Sequence, residues 1–349
     1  MINVSQAAVL AKSYTTLKES DTGDHVLRLM PNRIVAINET AGISVACELA
    51  AQALVNAKQF TAVMKKCPSP EITATPQGRR VDITTSDRGS FSVAGVTVKR
   101  LRPIPEFPGD AGWIELSEPE TKAIVSLASL ADHRSADETR AGILLTPTAS
   151  IINAGDMFGV AWVTCALRAP VLVPSKFWKG ITGPVRVKVK GGRFWLTDSK
   201  STRWVRVLTA DYPEHQLMTV LGRVRSNPQR QRCTVDIKAL CALAKRALAA
   251  SENPADVFIL EWTPTGLVLQ GGGTTAAYRG ELVAEGGDNR RIGTEPKTVA
   301  DCSTALLKAS KGHATYASIV SEQAPLVLWC VAPVAIEIVI NPAYIPRDQ

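Results

Sequence analysis

The residues of this 349-residue chain that could catalyse or hold a metal are spaced for neither task. His25, His133, His215 and His313 occur in unrelated contexts, without the His-x-Glu or His-x3-His spacing that brings ligands onto one ion. Cys47, Cys67, Cys165, Cys233, Cys241, Cys302 and Cys330 form no Cys-x-x-Cys pair, and are expected to be free buried thiols of a reducing compartment. Gly271-Gly272-Gly273 lacks the Gly-Lys-Ser/Thr that completes a phosphate loop, so it is expected to be a turn. Asp211 and Glu214 lie in a proline turn, where they are solvated rather than paired for acid-base work. No catalytic residue, metal ligand or cofactor is therefore expected, and an enzyme is the least favoured class.

The remaining chemistry is cationic. The net charge of +8 concentrates in six short helical segments, which carry Lys12, Lys18, Lys58, Lys65, Lys66, Lys122, Lys176, Lys179, Lys238, Lys245, Arg246, Lys308 and Lys311. Their acids, Glu118, Glu120, Asp236 and Asp301, sit at caps or first turns where the helix dipole favours them, and only Glu19 lies elsewhere. Helix bodies of one sign point to a polyanion, most simply a nucleic acid backbone.

Those helices belong to two motifs, each present three times. An apolar strand end, a breaker and a lysine-bearing helix occurs at 54–66, 171–182 and 298–311, with Asn56, Pro174 and Asp301 as breakers. A strand end followed by a capped helix opens at Asn3, Glu115 and Thr234, with Ser5 expected to cap the first. Both motifs recur at intervals of about 110–130 residues, close to one domain length. We divide the chain into 1–112, 113–228 and 229–349. Three prolines and a glycine within 103–109 mark the first boundary, and the arginine-rich GRVRSNPQRQR at 222–232 is expected to be an exposed linker at the second.

Between the helices the chain shows short alternating strands. In 184–199 Val185, Val187 and Val189 face one way and Arg186, Lys188 and Lys190 the other, with a turn at Gly191-Gly192. The seven tryptophans fall mostly in such runs and are expected in cores. No apolar run approaches the roughly 18 residues of a membrane span, and the start lacks a signal-peptide pattern, so a cytoplasmic protein is expected.

The ordered set of segments resembles the beta subunit of bacterial DNA polymerase III, the sliding clamp. EIT at 71–73, QGRRVDI at 77–83 and VKRLRPIPEFPG at 98–109 are similar to the end of that family's first domain, with its Phe-Pro. VLVPSKFWKG at 171–180 and the run 185–218 resemble its Val-Pro helix, hairpin and Phe-Pro-(Asp/Glu)-Tyr segment. The resemblance covers essentially the whole chain. It implies an α+β fold of three tandem two-helix, strand-rich domains, closing as a head-to-tail homodimer around double-stranded DNA and held near the nucleoid. Such a processivity factor tethers DNA polymerase, clamp loader and repair proteins that carry a clamp-binding peptide. Phosphates would be held without base readout by Lys12, Lys58, Lys65, Lys122, Lys176, Lys179, Lys238, Lys245, Arg246 and Lys308.

The resemblance also implies a peptide pocket. Its walls would be Gly159 and Trp162, projecting from one strand to the same face, then Pro213, Leu217 and Met218, and finally Val339, Ile340 and Pro342. Here the family's His-Arg-Leu reads Val160-Ala161-Trp162 and its Arg-Val pair reads Leu217-Met218, which predicts a more apolar pocket. At the dimer contact the family's bulky aliphatics are replaced by Ala249 and Ala250, opposite an edge strand bearing Val96, Val98 and Lys99. The basic balance also departs from the usually acidic family, as a divergent copy on a mobile element or virus would. The alternative reading is a clamp-like module that binds peptides or DNA without encircling DNA.

Overall fold

Short polar side chains start most of the helices. In the computed structural model, which describes residues 3–14, 25–67, 72–86, 88–98, 101–228, 230, 232–253, 255–272, 276–284, 289–319, 321 and 323–343, the chain divides into two compact units. One comprises 1–115 with 185–207, the other 116–184 with 208–349.

In the first unit, helix α1 (Val4–Lys12) is capped by Asn3, whose side chain accepts from the Gln6 N–H at 2.8 Å. Ser5 lies inside the helix, so the cap falls two residues before the expected position. Asn56 caps helix α2 (Ala57–Lys66) by accepting from the N–H groups of Lys58 and Gln59. The two helices pack together, with Val4, Ala7, Ala8, Ala11, Phe60 and Met64 against one face of a sheet bearing Leu27, Leu29, Ile34, Ile43 and Val45. That sheet runs in the order Ala53–Asn56, Val26–Met30, Arg33–Ile37, Ala41–Ala46, Ser201–Arg206, Arg193–Thr197, Val185–Lys190, Ile114–Leu116. Its 185–197 hairpin turns at Gly191 and Gly192, with φ of 60° and 68°, the left-handed pair a tight hairpin requires. The opposite face carries Val35, Ile37, Trp195 and Trp204, over which Ile104 and Trp113 pack. A second sheet, Leu49–Ala51, Ile72–Gln77, Arg80–Thr85, Ser90–Ala94, ends in a free edge at Ser90–Ala94.

In the second unit, helix α3 (Glu118–Ala128) begins with a capping box: Ser117 Oγ accepts from the Glu120 N–H while Glu120 accepts from the Ser117 N–H at 2.8 Å. A short α4 (Glu138–Ala141) and a helix not anticipated from sequence, α5 (Glu214–Ser226), follow. Asp236 caps α6 (Ile237–Ala250), and α7 (Pro296–Ser310) starts at its own proline, well before the expected Asp301. The segment after Pro174 is a single 3-10 turn, Ser175–Trp178, rather than an α-helix; Phe177 and Trp178 are buried within it. An eight-stranded sheet runs Val171–Pro174, Gly142–Leu145, Ser150–Asn153, Met157–Ala161, Ile336–Ile340, Leu326–Cys330, Thr315–Ser318, Cys233–Thr234. Helices α3 and α7 pack on one of its faces. A four-stranded sheet runs Ala277–Val283, Gly266–Gly272, Phe258–Thr263, Arg290–Thr294.

All seven cysteines are free and buried. Burial pushes four of these thiols up, to about 11 for Cys47 and Cys330, to about 12 for Cys165, and well above the ordinary thiol range for Cys302. A thiol reagent at pH 8 should therefore find almost no fast-reacting group in the native protein and all seven in denaturant. One rapid native equivalent would show a thiol more accessible than its packing allows.

Candidate functional site

Two groups of residues were singled out by sequence, the helix cations and the apolar pocket. Lys12, Lys58 and Lys65 stand exposed on α1 and α2, Lys238, Lys245 and Arg246 on α6, and Lys308 on α7. Lys176 and Lys179 are exposed at the 3-10 turn, and Lys122 on α3 is half-buried. Lys58, Lys65, Lys176, Lys238, Lys245, Arg246 and Lys308 form no ion pair among the described residues. Lys311 is different, since it holds Glu118 at 2.6 Å. That contact depresses the Glu118 carboxyl below its ordinary range by hydrogen bond first and charge second.

The pocket residues divide by strand parity. Antiparallel pairing sets Phe158 opposite Val339 and Val160 opposite Glu337 on one face, and Gly159 opposite Ile338 and Met157 opposite Ile340 on the other. A Cβ on Gly159 would meet Leu127 of α3 at 2.8 Å, so this glycine serves the helix side. Gly159 and Trp162 are three residues apart and face oppositely, which corrects the expectation that they share a face. Ile340 also leaves the pocket, because it pairs with Met157, whose sulfur lies 3.0 Å from Cys302 of α7.

Trp162, Leu217, Met218 and Val339 do come together. They share one apolar cluster with Phe158, Val160, Leu221, Val224 and Val327, in which α5 packs its 217, 218, 221 and 224 positions onto the sheet. Pro213, half-buried, precedes α5, and its carbonyl accepts from the Leu217 N–H. Pro342 is half-buried just beyond the Ile336–Ile340 strand. Trp162, Leu217 and Met218 keep part of their surface in solvent, which is what an apolar recognition site needs.

Sequence reasoning missed what holds this face together. The supposed linker supplies the end of α5 and three stacked arginines: Arg225 over Trp162 at 4.2 Å, Arg230 over Trp329 at 4.4 Å and Arg232 over Tyr316 at 3.7 Å. Glu337, buried in the sheet below, accepts from Arg225 at 2.9 Å and pairs with Arg230 at 3.0 Å. A glutamate in an otherwise apolar strand, IEIVI at 336–340, was the available signal.

Tyr212 also lies in this cluster, donating to the Ile151 carbonyl at 3.2 Å. Burial, and secondly the Glu214 charge, hold its phenol well above the ordinary tyrosine range. A raised folded pKa gives stability that is complete below the unfolded value of about 10 and lost as pH climbs beyond it. Tyr14 is raised in the same direction, chiefly by burial. The urea midpoint should thus fall above about pH 10, and Tyr212→Phe should flatten part of that fall. An unchanged alkaline slope in the variant would remove Tyr212 from the account.

At the expected dimer contact the structure differs in detail. The Ser90–Ala94 strand ends before Val96 and Val98, which follow it outside any strand, and Lys99 lies outside the described residues. Ala249 is exposed and Ala250 half-buried at the end of α6. Phe258–Thr263 is paired on both sides, so the free edge of that sheet beyond Gly266–Gly272 is Ala277–Val283.

No protein-family model and no curated sequence matches the chain. Solved structures do. A DNA polymerase sliding clamp from Bacillus subtilis superposes with a TM-score of 0.79 at 13% identity, over 99% of this chain and 98% of that one. The beta subunit from DNA polymerase of Streptococcus pyogenes gives 0.79 at 14% identity over 98% and 97%. A DNA polymerase III beta subunit from Thermotoga maritima gives 0.77 at 15% identity over 99% and 98%. The chain thus has, along essentially its whole length, the α+β fold of these sliding clamps and DNA polymerase III beta subunits, at only 13–15% sequence identity.

Proposed function

We propose that the chain is a DNA sliding clamp, a processivity factor that encircles duplex DNA as a homodimer and tethers polymerase, clamp loader and other peptide-bearing partners. The carrying observation is the clamp fold over 98–99% of the chain combined with exposed helix lysines, of which Lys58, Lys65, Lys238, Lys245 and Lys308 form no ion pair among the described residues. We take the domains as 1–112, 113–228 and 229–349, and the location as the nucleoid-bearing cytoplasm. Among the described residues no helix is long and apolar enough to cross a membrane. Two free strand edges support dimerisation, Ser90–Ala94 of one protomer and Ala277–Val283 of its partner, the latter carrying a Val283 that is 82% exposed.

The decisive experiment compares retention on closed circular and linearised plasmid after a salt wash. Phosphate contacts alone weaken steeply with salt, whereas a closed ring must open to leave. Retention on circles that is lost on linearisation is expected; equal loss from both would sink the encircling reading. The alternative, a clamp-like module that does not encircle DNA, is favoured by the small side chains of Ala249 and Ala250. A monomer by light scattering at tens of micromolar would select it.

A further inference from the structure

On the outer face of the first unit's sheet, three cations share one rung. Lys190 pairs directly with Arg193, and Arg193 with Arg206, on adjacent strands, and all three are exposed. Like charges directly opposite destabilise a sheet, and none of the three forms an ion pair among the described residues. Such a rung favours a bound anion. Two residues along the same face, about 7 Å away, lies the Trp195–Trp204 pair, with Phe107 packed on Trp195 at 6.3 Å between centroids. Phe107 is 45% exposed and lies 5.7 Å from Trp113, over which Arg186 stands at 5.8 Å. The segment bearing Phe107 is pinned to the sheet by the Lys188 ammonium, which donates to the carbonyls of Pro108 and Ala111. Glu106 and Asp110 on that segment are exposed and form no ion pair with the rung among the described residues.

We infer that this rim is a binding site for single-stranded nucleic acid, the cation rung taking phosphates and the Phe107 face a stacked base. Charge selects a polyanion, and the exposed ring beside it selects one with bases. The site is separate from the helix lysines, so its failure leaves the clamp reading untouched.

The test is fluorescence anisotropy of a labelled oligothymidylate of about 15 nucleotides with the full chain at low salt. Sequence-tolerant binding with a log–log salt slope near −2 is expected if three phosphates are neutralised. Arg193→Glu should weaken binding about tenfold or more, yet raise the melting temperature, because Lys190, Glu and Arg206 then alternate in sign. Phe107→Ala should weaken the oligonucleotide about tenfold while leaving heparin, a polyanion without bases, bound as before. If that variant loses its native circular dichroism, Phe107→Leu replaces it, keeping the packing and removing the π face. Wild-type affinity in Arg193→Glu, or no loss in both Phe107 variants, would overturn the assignment.

Discussion

Glu337→Ala should destabilise the protein by about 3 kcal/mol, the low end for breaking a buried ion pair. Glu337 is 4% exposed and is the acid shared by two guanidinium groups, at 2.9 Å from Arg225 and 3.0 Å from Arg230. What the loss costs depends on where the orphaned charges can go. The Arg225 side chain is 46% exposed and can turn to water, whereas that of Arg230 is 14% exposed and held against Trp329. Arg230→Ala should therefore cost more than Arg225→Ala, which behaves as a half-solvated pair worth about 1 kcal/mol. The expected order in urea titrations is Glu337→Ala, then Arg230→Ala, then Arg225→Ala. Equal losses for Glu337→Ala and Arg225→Ala would mean that the second arginine contributes nothing.

The same residues show why part of this molecule could be read from sequence and part could not. The valine alternation and Gly-Gly turn of 185–197 impose the hairpin locally, and Ser117 with Glu120 or Asp236 before α6 fix helix starts within four residues. Those features need no distant partner. Gly222–Arg232 has no such local signal, because its arginines acquire a role only when Trp162, Trp329 and Tyr316 arrive from positions far along the chain. Planar guanidinium groups stacked on rings look, in sequence, like a solvated linker. Leu217, Met218, Trp162 and Val339 share one apolar cluster, while Gly159 and Ile340 fall on the helix side because strand parity places them there. The dimer edges show the same limit. An edge strand bearing Val96 and Val98 was expected, but which strand lacks a neighbour is a property of the sheet.

Met218→Lys should abolish binding of a short peptide with Leu and Phe anchors, with a loss of about 3 kcal/mol or roughly a hundredfold. Met218 and Leu217 lie adjacent on α5, half-buried in the cluster that includes Trp162 and Val339. The Arg225 guanidinium already covers one face of Trp162, so an incoming apolar anchor has Leu217, Met218 and the remaining Trp162 surface to rest on. An ammonium at 218 must then be desolvated by the ligand, which is the source of the large effect. In the free protein the same lysine can extend its head to water along the helix surface, so stability should change by less than about 1 kcal/mol. Met218→Leu keeps volume and polarity and should bind within a few-fold of wild type. Circular dichroism and retention on circular DNA should be unaffected in both. If Met218→Lys unfolds the protein, Leu217 and Met218 complete a core rather than a binding site; if peptide affinity survives the lysine, the peptide lies elsewhere.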